Sequence, residues 1–178
     1  MYLIFMAAAV FTFSSWVCKT GDKKVKPKFM VAGSVMQTVS YCGGAKPTQE
    51  ILDSCNTPKG IPFAKLFVKW GLVNTEGASI IRSISTDAHG NFSTYLPPGN
   101  YCLVEKWKTK PFHLPANNVN QTIDSACFRN LYSSADFVLK IKDKNIRDVK
   151  IIFHRTCSFN QPCITFHGSL PPKQMPRH

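Results

Sequence analysis

Acidic residues are scarce in this chain: 10 Asp and Glu stand against 22 Lys and Arg, for a formal charge of +12. The imbalance favours anionic partners, whether lipid headgroups, surface polysaccharide, nucleic acid or acidic protein, without choosing among them. Long apolar runs are also missing. A bilayer-spanning helix needs about twenty apolar residues, and the longest run here, Tyr2 to Phe13, falls short of that. None of the cysteine spacings is a CxxC pair and no His stands at finger spacing, which makes zinc the weaker account of the cysteines. There is no G-x-S-x-G elbow and no aromatic-and-basic strand pattern of the RNP type, so nucleic acid is not an expected partner. Internal repeats, low-complexity tracts and a convincing amphipathic helix beyond the leader are lacking too.

What is present begins with the leader. The run MYLIFMAAAVFTF has the length of a signal-peptide h-region and is followed by small polar residues, although no Lys or Arg precedes it. Residues 1–17 are therefore read as a signal peptide. Cys18 closes the leader and resembles the lipidation site of a bacterial lipoprotein, which would carry acyl chains such as palmitate. Val17 and Trp16 depart from the small residues usual before such a Cys. Ordinary secretion, with cleavage after Ser14 or Ser15, is the competing reading. Residues 18–29 form the anchor and a basic, Pro-containing tether, KTGDKKVKPKF, whose lysines suit anionic headgroups. The expected location is the bacterial cell envelope, at the outer membrane.

With Cys18 set aside, six cysteines remain: Cys42, Cys55, Cys102, Cys127, Cys157 and Cys163. An even number in an exported chain fits disulfides. The shortest loops would pair Cys42 with Cys55 and Cys157 with Cys163, leaving Cys102 for Cys127.

Residues 30–168 read as one β-domain, and residues 169–178 as a flexible tail. Seven β-prone segments are separated by turn signals: MVAGSVMQTVSY, PFAKLFVKW, ASIIRSIST, NFSTYLP, NYCLVEKW, ADFVLKIK and IRDVKIIFH. In the second, Ala64, Leu66, Val68 and Trp70 share one face while Lys65 and Lys69 take the other. Phe137, Leu139 and Ile141 share a face, as do Val149, Ile151 and Phe153. Such a chain suits an antiparallel β-sandwich. Two segments interrupt it. Residues 41–60 form an insertion in which PTQEILDS suits a short helix, and residues 108–134 read as a long loop.

The stretch TDAHGNFSTYLPPGNYCL mixes polar residues with turn signals. Asp87 to Gly90 fits a tight turn, Pro97-Pro98-Gly99 reverses the chain, and Phe92, Leu96, Tyr101 and Leu103 suit a core. Cys102 would point to the other face. Together, GIPFAKLFVKW and STDAHGNFSTYLPPGNYCLVE resemble the carboxypeptidase regulatory-like family, a transthyretin-like (prealbumin-like) β-sandwich. The resemblance runs from about Phe29 to Phe153, with its specific motifs within residues 60–105. The segment GSVMQTVSYCGGAKPTQEIL further resembles a group of small exported lipoproteins of Bacteroidota that carry a YCGGA-type motif. The resemblance implies a seven-stranded antiparallel sandwich that binds, spaces or braces and carries no shared catalytic residues or cofactor. Related hydrolases of this fold end in Tyr-Arg-Gly-Ser, whereas this chain ends PPKQMPRH.

A triad of Ser93, His89 and Asp87 would crowd its members onto one turn and strand, where they cannot form a nucleophile–base–orienter line. His154 and His167 flank Cys157 and Cys163 and are the weak alternative for a metal site; a disulfide there is preferred in an oxidising compartment. The expected function is that of a non-catalytic lipoprotein subunit docking on a larger outer-membrane protein complex. A secreted binder of a small ligand, metal or glycan through the Cys-containing loops is the alternative.

Overall fold

The computed structural model describes residues 27–167. The signal peptide, the lipidation candidate Cys18, most of the tether and the tail from 169 to 178 lie outside the described residues. Ten strands and two α-helices follow one another: β1 (Phe29–Val39), α1 (Gln49–Asn56), β2 (Lys59–Gly60), β3 (Lys65–Trp70), β4 (Ile80–Ser85), β5 (Asn91–Leu96) and β6 (Gly99–Val104), then β7 (Gln121–Ile123), α2 (Ser125–Ser133), β8 (Phe137–Ile141), β9 (Ile146–Arg155) and β10 (Ile164–Phe166).

The seven segments expected as strands are the seven longer ones, β1, β3, β4, β5, β6, β8 and β9. They make two sheets in a sandwich. One runs β4-β3-β6-β8, all antiparallel. In the other, β1 is central, with β5 and then β2 along one side and β9 along the other. One expectation is corrected: β1 and β9 are parallel, from Val31↔Ile146 to Val39↔Arg155, so the sandwich is not wholly antiparallel. The chain reaches β9 from the far sheet through the β8–β9 turn, and it arrives in the same direction as β1. A bulge between Val31 and Gly33 adjusts the register, with Asp148 at φ 58°. The short strands β2, β7 and β10 were not anticipated; two or three residues leave no period to read.

Alternation places the core between the sheets. Val31 and Val35, Leu66 and Val68, Phe92 and Leu96, Tyr101 and Leu103, Leu139 and Ile141, Val149 and Ile151 are all buried there. The faces assigned from the pattern hold, with two departures in exposure: Trp70, at the end of the apolar face of β3, is 52% exposed, and Lys69 on the other face is buried. Lys69 is 2% exposed, because the outer face of β3 is covered rather than wet.

The glycines of the two turn motifs meet. Val35 donates its N–H to Gly90 O and accepts from Ile61 N, so the chain segments at Gly60 and Gly90 close on one residue of β1. A Cβ on Gly90 would stand 2.8 Å from Gly60 Cα, and Gly90 has φ 85°. Thr86 ties the same corner: its hydroxyl donates to Ile61 O and accepts from Ala64 N. Asp87 Oδ1 accepts from the backbone of Asn91 and His89, which holds its carboxyl below the usual range. At the other hairpin, the Tyr101 hydroxyl donates to Pro97 O across the Pro-Pro-Gly turn. Of the residues in this stretch that look reactive, Asp87 and His89 serve the turn, while Ser93 lies within β5 and Cys102 is buried in β6.

Gly90→Ala combines a left-handed φ with backbone contact, and is expected to cost about 1–3 kcal/mol. Urea unfolding of the purified variant measures it; a midpoint equal to that of the parent chain would contradict the packing argument.

Candidate functional site

The long segment between β6 and β8 is folded rather than loose. Glu105 leads into a 3-10 turn (Lys106–Thr109), and α2 follows β7. Asp124 caps α2, its Oδ1 accepting from Cys127 N at 2.9 Å. Phe128, Leu131 and Tyr132, at i, i+3 and i+4, are the apolar stripe of α2. That stripe and the Asp cap were the sequence signals that would have revealed the helix. By contrast α1, capped by Thr48, falls within two residues of the segment expected to be helical and buries none of its residues.

A polar network fastens this segment to the outer face of the β4-β3-β6-β8 sheet. Lys69 Nζ donates to Asn74 Oδ1 at 2.8 Å, and Asn74 Nδ2 donates to Lys108 O and Tyr132 O. Lys108 Nζ donates to Asp136 Oδ1 at 2.7 Å and to Ser134 O, while Asp136 Oδ2 accepts from Glu105 N. Among the described residues no buried side-chain nitrogen or oxygen lacks a partner, as burial in a low-dielectric layer demands. Cys102, opposite Lys69 in register, is buried in this layer. Burial pushes its thiol up, and the Lys69 ammonium opposes that shift.

The disulfides differ from the expected pairing. Cys42 bonds Cys157 and Cys127 bonds Cys163, while Cys55 and Cys102 have no disulfide partner among the described residues. The pairs Cys42–Cys55, Cys157–Cys163 and Cys102–Cys127 are therefore corrected. Strand pairing, not loop length, explains the outcome. β1 and β9 end side by side at Val39 and Arg155, so Cys42 and Cys157 leave the sheet together, with Cα atoms 5.6 Å apart. β7 and β10 pair at Ile123 and Ile164, which brings Cys127, in the first turn of α2, to Cys163. Closing separations of 115 and 36 residues, the bridges restrict the unfolded chain by roughly 4–5 kcal/mol each on a chain-entropy account.

His154 and His167 are not brought into a metal site. Thr38 and Ser40 hydroxyls lie 2.9 and 3.0 Å from the two ring nitrogens of His154, and Thr122 Oγ1 lies 2.7 Å from His167 Nε2. The cysteines between them are oxidised with different partners. Among the described residues no three His, Cys, Asp or Glu cluster so as to hold a metal.

Between the two disulfides lies a cleft of about 610 Å³. Its walls are Trp107 from the 3-10 turn, Phe128 and Leu131 from α2, the end of β9, and Gln161, Pro162 and Ile164 from the last loop and β10. Cys127–Cys163 ties the α2 wall to the β10 wall, and Cys42–Cys157 fixes the chain where β9 leaves the cleft. Arg155 donates to both Glu105 carboxylate oxygens through its two terminal guanidinium nitrogens, Nη2 at 2.5 Å and Nη1 at 3.2 Å, and its guanidinium lies 4.9 Å from the Phe153 ring centroid. The Glu105 carboxylate raises the Arg155 pKa further. Trp107, 39% exposed, lies near Phe128 and Tyr132, their ring centroids 6.2 Å away. Both carboxylates of the cleft are matched to a cation, Glu105 to Arg155 and Asp136 to Lys108. The cleft thus offers a rigid aromatic wall and a neutralised polar floor.

No family model matches the chain, and neither a curated protein nor a solved structure is significantly similar to it.

Two outcomes check this geometry. In the folded, unreduced chain a thiol reagent should label Cys55 readily and Cys102 only after denaturation; labelling of Cys157 or Cys163 in the unreduced chain would break the assigned pairing. Asp136→Ala leaves the Lys108 ammonium buried without its carboxylate, at an expected cost of about 3–5 kcal/mol in chemical denaturation.

Proposed function

We propose that the chain is an exported, non-catalytic recognition domain of the bacterial envelope, and that its disulfide-bordered cleft binds a neutral, hydroxyl-rich ligand of glycan type. The observation that carries this reading is the cleft itself: an exposed indole beside a bidentate Arg–Glu pair, braced on both sides by covalent bridges. Ligand sites of this size combine apolar walls with a few fixed polar groups. An aromatic face suits the C–H side of a sugar, and the Arg155–Glu105 pair offers both donors and acceptors to its hydroxyls. Since both acids are already matched by cations, the cleft favours neither an anion nor a cation. Neither carboxylate is free to act as a general base, which supports a binding role over hydrolysis.

Export is supported by the two disulfides, which persist in oxidising compartments. The lipid anchor at Cys18, the outer-membrane location and membership of the carboxypeptidase regulatory-like family belong to the same proposal. So does the transthyretin-like topology, supported by seven long strands in two layers. A second reading, docking on a larger outer-membrane complex, would use the same cleft for a segment of the partner protein. It is favoured by the cleft's openness along the exposed last loop and β10.

A glycan array, followed by calorimetry with the best oligosaccharide, tests the proposal. Trp107→Ala is expected to weaken binding by about two- to tenfold, the loss of roughly 0.5–1.5 kcal/mol of stacked aromatic contact. Affinity purification from native membranes discriminates the second reading. An array with no hits, together with a stoichiometric protein partner lost in Trp107→Ala, would replace the ligand by a protein.

A further inference from the structure

The end of the sandwich at which the N-terminal segment joins the domain has a composition of its own. β1 starts there, with Phe29 opposite Leu96, so the Pro97-Pro98-Gly99 turn lies beside the entry point. The end of β3 reaches the same pole: Trp70 pairs with Tyr101, and Gly71 N donates to Asn100 O. The β8–β9 turn completes it, since Gly99 pairs with Ile141 and Val31 with Ile146. Asn145 Oδ1 accepts from Met30 N across the pole.

Two kinds of side chain collect on this end. Trp70, Leu72 and Val73 are 52%, 45% and 57% exposed, consecutive apolar groups save for Gly71. Trp70 is rigid rather than dangling: its ring stacks on Tyr101 at 4.6 Å and lies against Gly99, where an added Cβ would come within 2.3 Å of the indole. Beside them Lys140, Lys142 and Lys144 are exposed, with Asp143 the acid among them. The residues that join the domain here, KTGDKKVKPK, add five further lysines against one Asp.

We infer that this pole is a bilayer-contact surface, on which Trp70, Leu72 and Val73 enter the headgroup region of an anionic membrane and Lys140, Lys142 and Lys144 face its phosphates. Apolar groups rimmed by basic ones mark a surface built to meet another phase. An indole held at a domain's end suits the membrane–water interface, where its apolar ring and N–H are both satisfied. Basic residues within a Debye length of anionic lipid add attraction that salt removes. Position argues for lipid over a protein partner: the tether and leader are covalently attached at this end, so any membrane holding them lies within reach of Trp70. The cleft would then stand away from the bilayer, because β1 and β9 run from this pole to Val39 and Arg155 at the other. The inference draws on the envelope reading for the presence of a membrane, and its positional argument on the anchor at Cys18; the exposed Trp70 patch and its lysines stand without that anchor.

The test uses the full chain carrying Cys18→Ser, so that no acyl chain contributes, with vesicles of phosphatidylcholine alone or mixed with phosphatidylglycerol. Replacing Trp16 and Trp107 by Phe leaves Trp70 as the single indole of three. Trp70 fluorescence is expected to shift blue and to be quenched by brominated lipid only in the anionic vesicles, with added salt reversing both. Leu72→Ser with Val73→Ser, and separately Lys142→Glu with Lys144→Glu, is expected to weaken vesicle binding by roughly tenfold. These four positions are exposed, so the variants fold even where Trp70→Ser does not. Vesicle-bound chain with unquenched Trp70, unchanged binding by both pairs of variants, or absence of binding would each overturn the inference. An unmodified N-terminus in mass spectrometry of the native protein would remove the lipid anchor alone and leave the vesicle result standing.

Discussion

Parallel pairing of β1 with β9 is the constraint on which the remaining structure rests. β1 starts the described domain and β9 comes near its end, so their ladder joins the two ends of the fold. A parallel neighbour requires the chain to cross from one sheet to the other before it returns, and the intervening strands supply that crossing. Because the strands run together, their C-terminal extensions emerge together, and Cys42 meets Cys157. The same direction carries Arg155 to the end of the domain where Glu105 leaves β6, and sets one side of the cleft. At the opposite end it sets Phe29 beside the turn that displays the β8–β9 lysines.

The second organising feature is a layer of buried polar groups on the outside of the β4-β3-β6-β8 sheet. An exposed sheet face would have left residues 105–136 as a loose excursion. Instead Lys69 and Asn74 reach upward and Lys108 reaches across to Asp136, so that α2 and the 3-10 turn sit on the sheet as a lid. Such a network offers little net energy relative to an apolar layer of equal volume, but it tolerates no alternative arrangement. Trp107 and Phe128 owe their positions in the cleft to it, and Cys127–Cys163 then links α2 to the last strand.

Much of the sandwich was legible in the residues because alternation reports on one face at a time. Leu66 and Val68, Phe92 and Leu96, Leu139 and Ile141 announce their strands and their inward side, and the turn residues between them announce reversals. The candidate site was less legible. Trp107, Arg155 and Glu105 belong to three segments whose neighbourhood depends on how the sheets are ordered, and nothing in their local sequence marks them. Lys69 illustrates the same point at a single position. Its place opposite an apolar face predicts solvent, and only the covering segment makes it buried. The α2 helix was readable in principle, from Asp124 and the spacing of Phe128, Leu131 and Tyr132, but a run of polar residues before it masked the period.

By itself the sequence determined the β class, the seven principal strands, the turns with their glycines and prolines, and an excess of positive charge. These are local properties, settled within a few residues by sterics, hydrogen bonding and the period of two. Only the tertiary structure decided which cysteines pair, which strands run parallel, which lysine is buried and which side chains share the cleft. Each of those is a relation between segments distant along the chain. It is chosen by the packing of whole sheets, which no short stretch of residues encodes alone.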